Sequence, residues 1–512
     1  MKNFVFLSLF LFCGSSSVFS QNGFFEKQVV PDYSASAVFI LDVLVDDDTI
    51  VYYGLFVDSS NYSGMFFSKM DTIGNLIAYK EIKDTSVELS TSDSGKLVKT
   101  VDGYAIQGTV GRFDSSGYYQ ETYMIKVNHD LELEFLKFYP FPQFASLLSF
   151  SILAANNGFY LFGTQQLPDV NDGNWFVMKT NAQGDLLWKK SYFLANTRDH
   201  GDEMFWLDEN TIVLFGPTGD DLPPGGQGNH FAYPRILAID TFGNIKWNWN
   251  WNGDEVDDLT GGPIMATADG GYVYGSAEVK WQQAGNVFFK PVVIKLDADF
   301  QEEWRRYIDT MGHDFAGALL TSITMSKDSN YIVSGGLQLY IYHGEFSPEG
   351  DRIWASYDST WVDWQGYEEA KVTGTDILSS GSIISGGEMN LLTDDGVTTW
   401  GFIMKLSPDG CMDTLACWPV SISDDIARSV DYQLDAYPNP ASDVVHFSLP
   451  DGFRYDAEAR IIITDILGRR VDEMDFIGSE VSLGLGGYVV GVYFYRLEVD
   501  GVVLDVGKLL VK

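Results

Sequence analysis

An all-β fold is predicted for this chain on three observations. A unit of about 56 residues returns along its body. Each unit holds four strand-length segments, and 51 Gly, 16 Pro and 15% aromatic residues suit many short strands and turns better than helices. Four strands in a unit of this length make a propeller blade. About seven of them closing into a ring leave none of the long open edges that an array of sheets would expose. The predicted architecture is a β-propeller of about seven blades over residues 21–420, a polar linker over 421–435 and a small β-sandwich over 436–512.

Each unit is anchored by a turn. A hydrophobic strand ending in Lys or a similar residue runs into Asp, Asn or Ser, Gly usually follows three residues later, and the next strand often carries Trp. The turn residues are Asp71, Asn128, Asn181, Asp240, Asp297, Ser347 and Ser407. Upstream lies a second turn and strand, as in Asp102-Gly103-Tyr104, Asn157-Gly158-Phe159 and Asp269-Gly270-Gly271-Tyr272. Trp188, Trp247, Trp304 and Trp354 stand four residues after the turn's Gly position, a regularity that predicts indoles packed between blades. In Asp240-Thr241-Phe242-Gly243 followed by Trp247, the unit resembles the Trp-docking propeller repeats of quinoprotein-like and related secreted bacterial proteins. The turn is one residue shorter than in quinoprotein enzymes, and their adjacent-cysteine pair is missing. The resemblance therefore implies the fold and no quinone cofactor.

The ends of the chain concern export. Residues 1–20 open with Lys2, continue through an apolar run from Phe4 to Phe12 and reach Val18-Phe19-Ser20, the pattern of a cleaved secretory signal. Bulky Phe12 before Cys13 argues against a lipidation signal, and no later run is long enough to span a bilayer as a helix. Cys411 and Cys417 then remain, and an oxidising compartment favours their pairing as a local disulfide. A net charge of -38 disfavours nucleic acid and anionic membranes as partners.

After residue 420 the repeat stops and a new pattern starts at Tyr437-Pro438-Asn439-Pro440. It continues through Val444-Val445-His446-Phe447, Ile463-Thr464-Asp465-Ile466-Leu467-Gly468-Arg469 and Gly491-Val492-Tyr493-Phe494-Tyr495, and closes on Gly507-Lys508 through Lys512. This series resembles the type A sorting domain of type IX secretion cargo. The resemblance implies recognition by the outer-membrane secretion machinery, with Tyr437, Pro438, Asn439, Pro440, Gly468, Gly491, Tyr493 and Lys508 as motif positions, and delivery by way of the periplasm to the cell surface or beyond.

Within a blade, the turns joining strands one to two and three to four are tight. The longer irregular connections share the opposite face, and loops held on a rigid scaffold are where function concentrates. That face is expected to carry His200, Asp202, Glu203, Asp220, Asp221, Asp254, Asp257, His313, Asp314, Trp361 and Trp364. Alternation places Trp247, Trp249 and Trp251 on one side of a strand, a candidate aromatic platform for a sugar or an inter-blade packing surface. Asp169-Val170-Asn171-Asp172-Gly173 weakly suggests calcium but lacks the distal Glu of a calcium loop, so no metal or other cofactor is required. Nucleophile-elbow, zinc-protease and phosphate-loop motifs are missing from the sequence. The expected function is non-catalytic binding or adhesion, with a glycan or protein as ligand. The alternative is a glycoside hydrolase or polysaccharide lyase working through carboxylates on the same face.

Overall fold

The computed structural model describes most of residues 25–411 and 434–512. Residues 1–24 and 412–433 lie outside the description, as do several internal stretches including 167–172, 221–232, 251–258, 309–318, 360–366, 449–458 and 466–468. The expected signal sequence and most of the expected linker therefore fall outside it. The chain divides into two compact units, Met1–Met412 and Asp413–Lys512.

In the first unit the described residues form seven antiparallel sheets, each a meander of strands consecutive in sequence. The first comprises Ala35–Asp46, Thr49–Asp58, Ser63–Met70 and Leu76–Ile82, and the third Ser146–Ala155, Gly158–Gln166, Gly173–Thr180 and Leu186–Tyr192. The last is the exception. Tyr367–Ile377, Ile383–Thr393 and Gly396–Leu406 are completed by Phe25–Val29, which pairs Phe25 with Lys405 and Val29 with Gly401. The beginning of the described chain thus closes its final blade.

The core lies between sheets. Leu41, Tyr53 and Phe67 of the first sheet pack on Tyr104, Ile106 and Ile125 of the second. Equivalent clusters follow at each successive interface. The last returns to the start, with Leu378, Ile384 and Ile403 packed on Ile40, Ile50 and Phe66. One buried cluster per neighbouring pair, including last on first, closes the sheets into a ring. Thr373 Oγ1 donates to the Ile40 carbonyl at 2.8 Å, and Asp376 accepts the Val45 N–H at 2.7 Å across the same seam.

The repeated turn explains the sequence signature. The side-chain oxygen of its first residue accepts the N–H groups two and four positions on, as Asn181 does from Gln183 and Asp185 at 3.0 and 2.8 Å and Asp240 from Phe242 and Asn244 at 2.9 and 2.8 Å. The third following residue takes a left-handed conformation, as at Gly243 with φ 76°. There the missing side chain also admits the preceding blade's indole: a Cβ on Gly243 would stand 2.8 Å from Trp188. Trp304 meets Gly350 and Trp354 meets Gly410 in the same way. The predicted inter-blade role of these tryptophans is what the structure has.

In the second unit the described residues form two sheets. One is ordered Asp435–Tyr437, Val444–Ser448, Glu480–Gly484, and the other Arg470–Asp475, Ala459–Asp465, Gly491–Val499, Val502–Val511. Phe447, Ile461, Ile463, Leu497 and Leu509 form its core.

Candidate functional site

A cavity of about 350 Å³ lies on the axis of the ring. Most of its wall comes from the beginnings of innermost strands. Lys96 precedes Leu97–Lys99, Glu203 opens Glu203–Asp208, Thr260 to Pro263 precede Ile264–Ala266, and Leu319 to Thr321 open Leu319–Met325. Lys371 and Thr373 come from Tyr367–Ile377, Pro217 from near the end of a second strand, and Phe289 from near the start of a third. These positions belong to the end of the ring from which the long connections leave.

His200 and Asp202 reach the cavity through an irregularity. The fourth sheet has its first strand in two pieces, Thr197–Asp199 and Glu203–Asp208, both paired with Thr211–Asp220. The intervening residues still bond to that partner, His200 N–H to the Pro217 carbonyl at 3.0 Å and Asp202 N–H to that of Phe215 at 2.9 Å. Such a break re-aims side chains that a regular pleat would send elsewhere. Beneath it, Asp199 is fully buried against Arg235 at 2.6 Å, which fixes the strand end.

The polar wall is built from two ion pairs and one histidine–carboxylate contact. Lys96 Nζ lies 3.3 Å from Glu203 Oε1, Lys371 Nζ lies 3.2 Å from Glu388, and His200 Nδ1 lies 2.8 Å from Asp202 Oδ1. Asp202 Oδ2 is buried against Gly261, where any side chain would collide with it. Behind Lys96, Asp42 accepts the N–H groups of Val43 and Leu97 at 3.0 and 2.8 Å. Burial pushes the Asp42 pKa up to about 6, against the opposing pull of Lys96 and those two N–H groups. Lys96 is held above its usual value: burial opposes its charge, but Glu203 and Asp42 outweigh it. Among the described residues neither a hydroxyl nor a thiol is bonded to His200 Nε2, so a nucleophile–histidine–carboxylate relay is not assembled. The buried pair His343 Nε2 and Ser385 Oγ, 2.8 Å apart, is enclosed between the last two sheets with Thr375 and Ser334.

Of the residues expected on this face, His200, Asp202 and Glu203 line the cavity. Asp220 ends a strand and is not in a loop: Thr211–Asp220 and its partner continue past Pro217, because the proline faces Pro234 across the ladder and neither needs a donor there. Asp221, Asp254, Asp257, His313, Asp314, Trp361 and Trp364 lie outside the described residues, as do Trp251, Cys417, Asp169 to Asp172 and Gly468. Cys411 is disulfide-bonded. Trp247 and Trp249 lie 5.2 and 5.1 Å from Phe300 of the next blade, so both contribute to inter-blade packing while remaining partly exposed. Among the described residues no group of three or more His, Cys, Asp or Glu is placed to hold a metal ion, and no helix is long and apolar enough to cross a membrane. Sequence reasoning missed Lys96, Lys371 and Asp42. Their only signal is charge at positions where an innermost strand should be apolar.

In the second unit the motif positions are largely structural. Asn439 donates to the Lys508 carbonyl at 2.5 Å and accepts the Leu510 N–H at 2.9 Å, while Ala441 exchanges backbone bonds with Leu510 and Lys512 at 2.8 Å each. The Pro-Asn-Pro segment therefore holds the last strand by its edge. Tyr437 stacks on His446 at 5.5 Å, Gly491 opens Gly491–Val499, and Tyr493 is buried with its hydroxyl donating to the Val489 carbonyl at 2.9 Å. Lys508 is exposed.

Residues 435–512 match the family model of the secretion system C-terminal sorting domain. That tail is the mark of type IX export, to the cell surface or outside the cell, and implies recognition by that machinery. No curated protein matches the chain. Similar solved structures include the polysaccharide lyase Uly1, with 12% identity over 72% of this chain and 90% of that one at a TM-score of 0.45. A Mycobacterium tuberculosis puromycin-hydrolyzing peptidase has 10% identity over 83% and 60% at 0.40. Drosophila Plexin A in complex with Semaphorin 1b has 10% over 75% and 86% at 0.37.

Proposed function

We propose that this exported propeller is a non-catalytic binding protein whose axial cavity takes a small neutral saccharide unit at the end of a glycan. The observation that carries the reading is the wall of Lys96–Glu203, Lys371–Glu388 and His200–Asp202 around about 350 Å³. That volume is at the lower end of the range for small-ligand pockets. Alternating donors and acceptors suit hydroxyl groups, which both give and accept hydrogen bonds. Phe289, Pro217 and Pro263 add apolar surface for the C–H side of a sugar ring. Glu203 is paired with Lys96 and Asp202 with His200 within the wall, an arrangement of fixed donor–acceptor pairs that supports recognition of hydroxyl groups. Export to the surface places such a pocket where extracellular glycans are met.

The test is a glycan array probed with the full exported chain, with its Lys371→Met and His200→Ala variants beside it. Saturable binding that both variants weaken at least tenfold, with the ligand recovered uncleaved, is the expected result. Cleavage of the ligand would replace this reading with the hydrolase or lyase one, and failure of every glycan to bind would remove the saccharide altogether.

A further inference from the structure

A second feature lies away from the axis, at the outer junction of the fourth and fifth blades. In five of the seven repeated turns the left-handed position is Gly: Gly74, Gly184, Gly243, Gly350 and Gly410, with φ between 75° and 86°. The second and fifth blades place Leu131 and Phe300 there, at φ 62° and 61°. A non-glycine residue costs about 1–2 kcal/mol in this conformation. Leu131 has an evident compensation, since it is 1% exposed and belongs to the core between the first two blades. Phe300 also packs on the core between its two blades, but its ring remains partly exposed.

The rings around it exceed what docking needs elsewhere. At the Gly243, Gly350 and Gly410 turns, one indole from the preceding blade lies on a glycine. Here Phe300 stacks on Tyr272 at 4.9 Å and 15°, and faces Trp249 at 5.1 Å and 33° and Trp247 at 5.2 Å and 51°. Four rings from two blades therefore form a layered aromatic cluster. Trp247, Trp249 and Phe300 are each partly exposed at the rim.

We infer that this cluster is a second binding surface, a stacking platform for the sugar rings of a neutral polysaccharide chain. Aromatic faces take up the C–H faces of sugars with large contact area and little loss of side-chain freedom. Flat ligands with phosphate are opposed by the net charge of -38, and so are acidic polysaccharides. A neutral polysaccharide meets no such opposition. The platform is separate from the axial cavity, and a glycan held at both sites gains avidity if its chain spans them.

The test exploits the repeat. Phe300→Gly installs the residue that five sister turns already use, relieving the left-handed strain while removing the central ring of the stack. Binding of the full chain to a soluble β-1,4-glucan is followed by tryptophan fluorescence, with pectate as the anionic control and thermal melts for every protein. Phe300→Gly and Trp249→Ala are expected to keep a cooperative melt and to lose at least tenfold in glucan affinity, with pectate unbound throughout. Lys371→Met, in the axial cavity, should leave a rim contribution that the rim variants remove. Full glucan affinity in Phe300→Gly would overturn the inference, as would collapse of its melt together with unchanged binding by Trp249→Ala. Loss of all binding in Lys371→Met alone would assign the glycan to the cavity, sinking the platform and leaving the axial reading in place.

Discussion

At the scale of single residues, the centre of the ring is held by groups whose charge works against burial. Asp42 is the clearest. Its pKa, pushed up to about 6 by burial despite Lys96 and two backbone donors, exceeds the ordinary 3.8, so folding takes up a proton between those values. The stability tied to Asp42 is complete below 3.8 and is lost as pH rises through 6. His343 pulls the other way: enclosed and neutral, its pKa is pushed down to about 3 by burial, so acid below 6.5 favours the unfolded chain. The two are separated by comparing the parent with Asp42→Asn. Between pH 5 and pH 7.5 the parent should lose about 1.4 kcal/mol relative to the variant in urea denaturation, the equivalent of one pKa unit. Parallel pH profiles would mean that Asp42 does not titrate as its surroundings require. None of this was legible in the sequence, where Asp42 reads as one more acidic residue in an acidic chain.

At the scale of elements, the turn that recurs through the propeller was legible because its parts serve a single geometry. A side-chain acceptor, a left-handed residue three positions on and an aromatic four beyond that are each visible as letters. The consequence is quantitative at Gly243, where a methyl group would add about 1–2 kcal/mol of backbone strain and a close contact with the Trp188 ring at 2.8 Å. Gly243→Ala should therefore lower stability by at least that much in chemical denaturation, whereas Gly491→Ala, at a strand start where a Cβ would meet only the Val489 carbonyl at 3.8 Å, should be nearly neutral. Equal effects would show that the glycine requirement is not local. Two elements escaped the sequence for physical reasons. The break at His200 to Asp202 leaves the alternation on either side intact, so a single strand and two strands read alike. Phe25–Val29 pairs with residues near the far end of the propeller, and nothing in its own five residues names that partner.

At the scale of the whole molecule, fold and destination were far more legible than the site. Repeat period and blade chemistry are written along hundreds of residues, and the sorting tail is carried by motifs in fixed order that a family model also matches over residues 435–512. The axial cavity is assembled from residues as distant as Lys96 and Lys371, each meaningful only once the ring brings strand beginnings together. That is why His200 and Asp202 were legible and their lysine neighbours were not: the first two stand in an irregular connection, whereas the lysines stand on or beside regular strands. The central claim is that this cavity binds a neutral saccharide unit without cleaving it. The most direct measurement is a crystal structure of the full exported chain with the tightest glycan from the array, refined alongside chromatography of the same glycan after incubation. An intact sugar within hydrogen-bonding distance of Lys96, Glu203 and Lys371 is the predicted result; an empty cavity with the glycan seated elsewhere, or a cleaved product in it, would contradict the account.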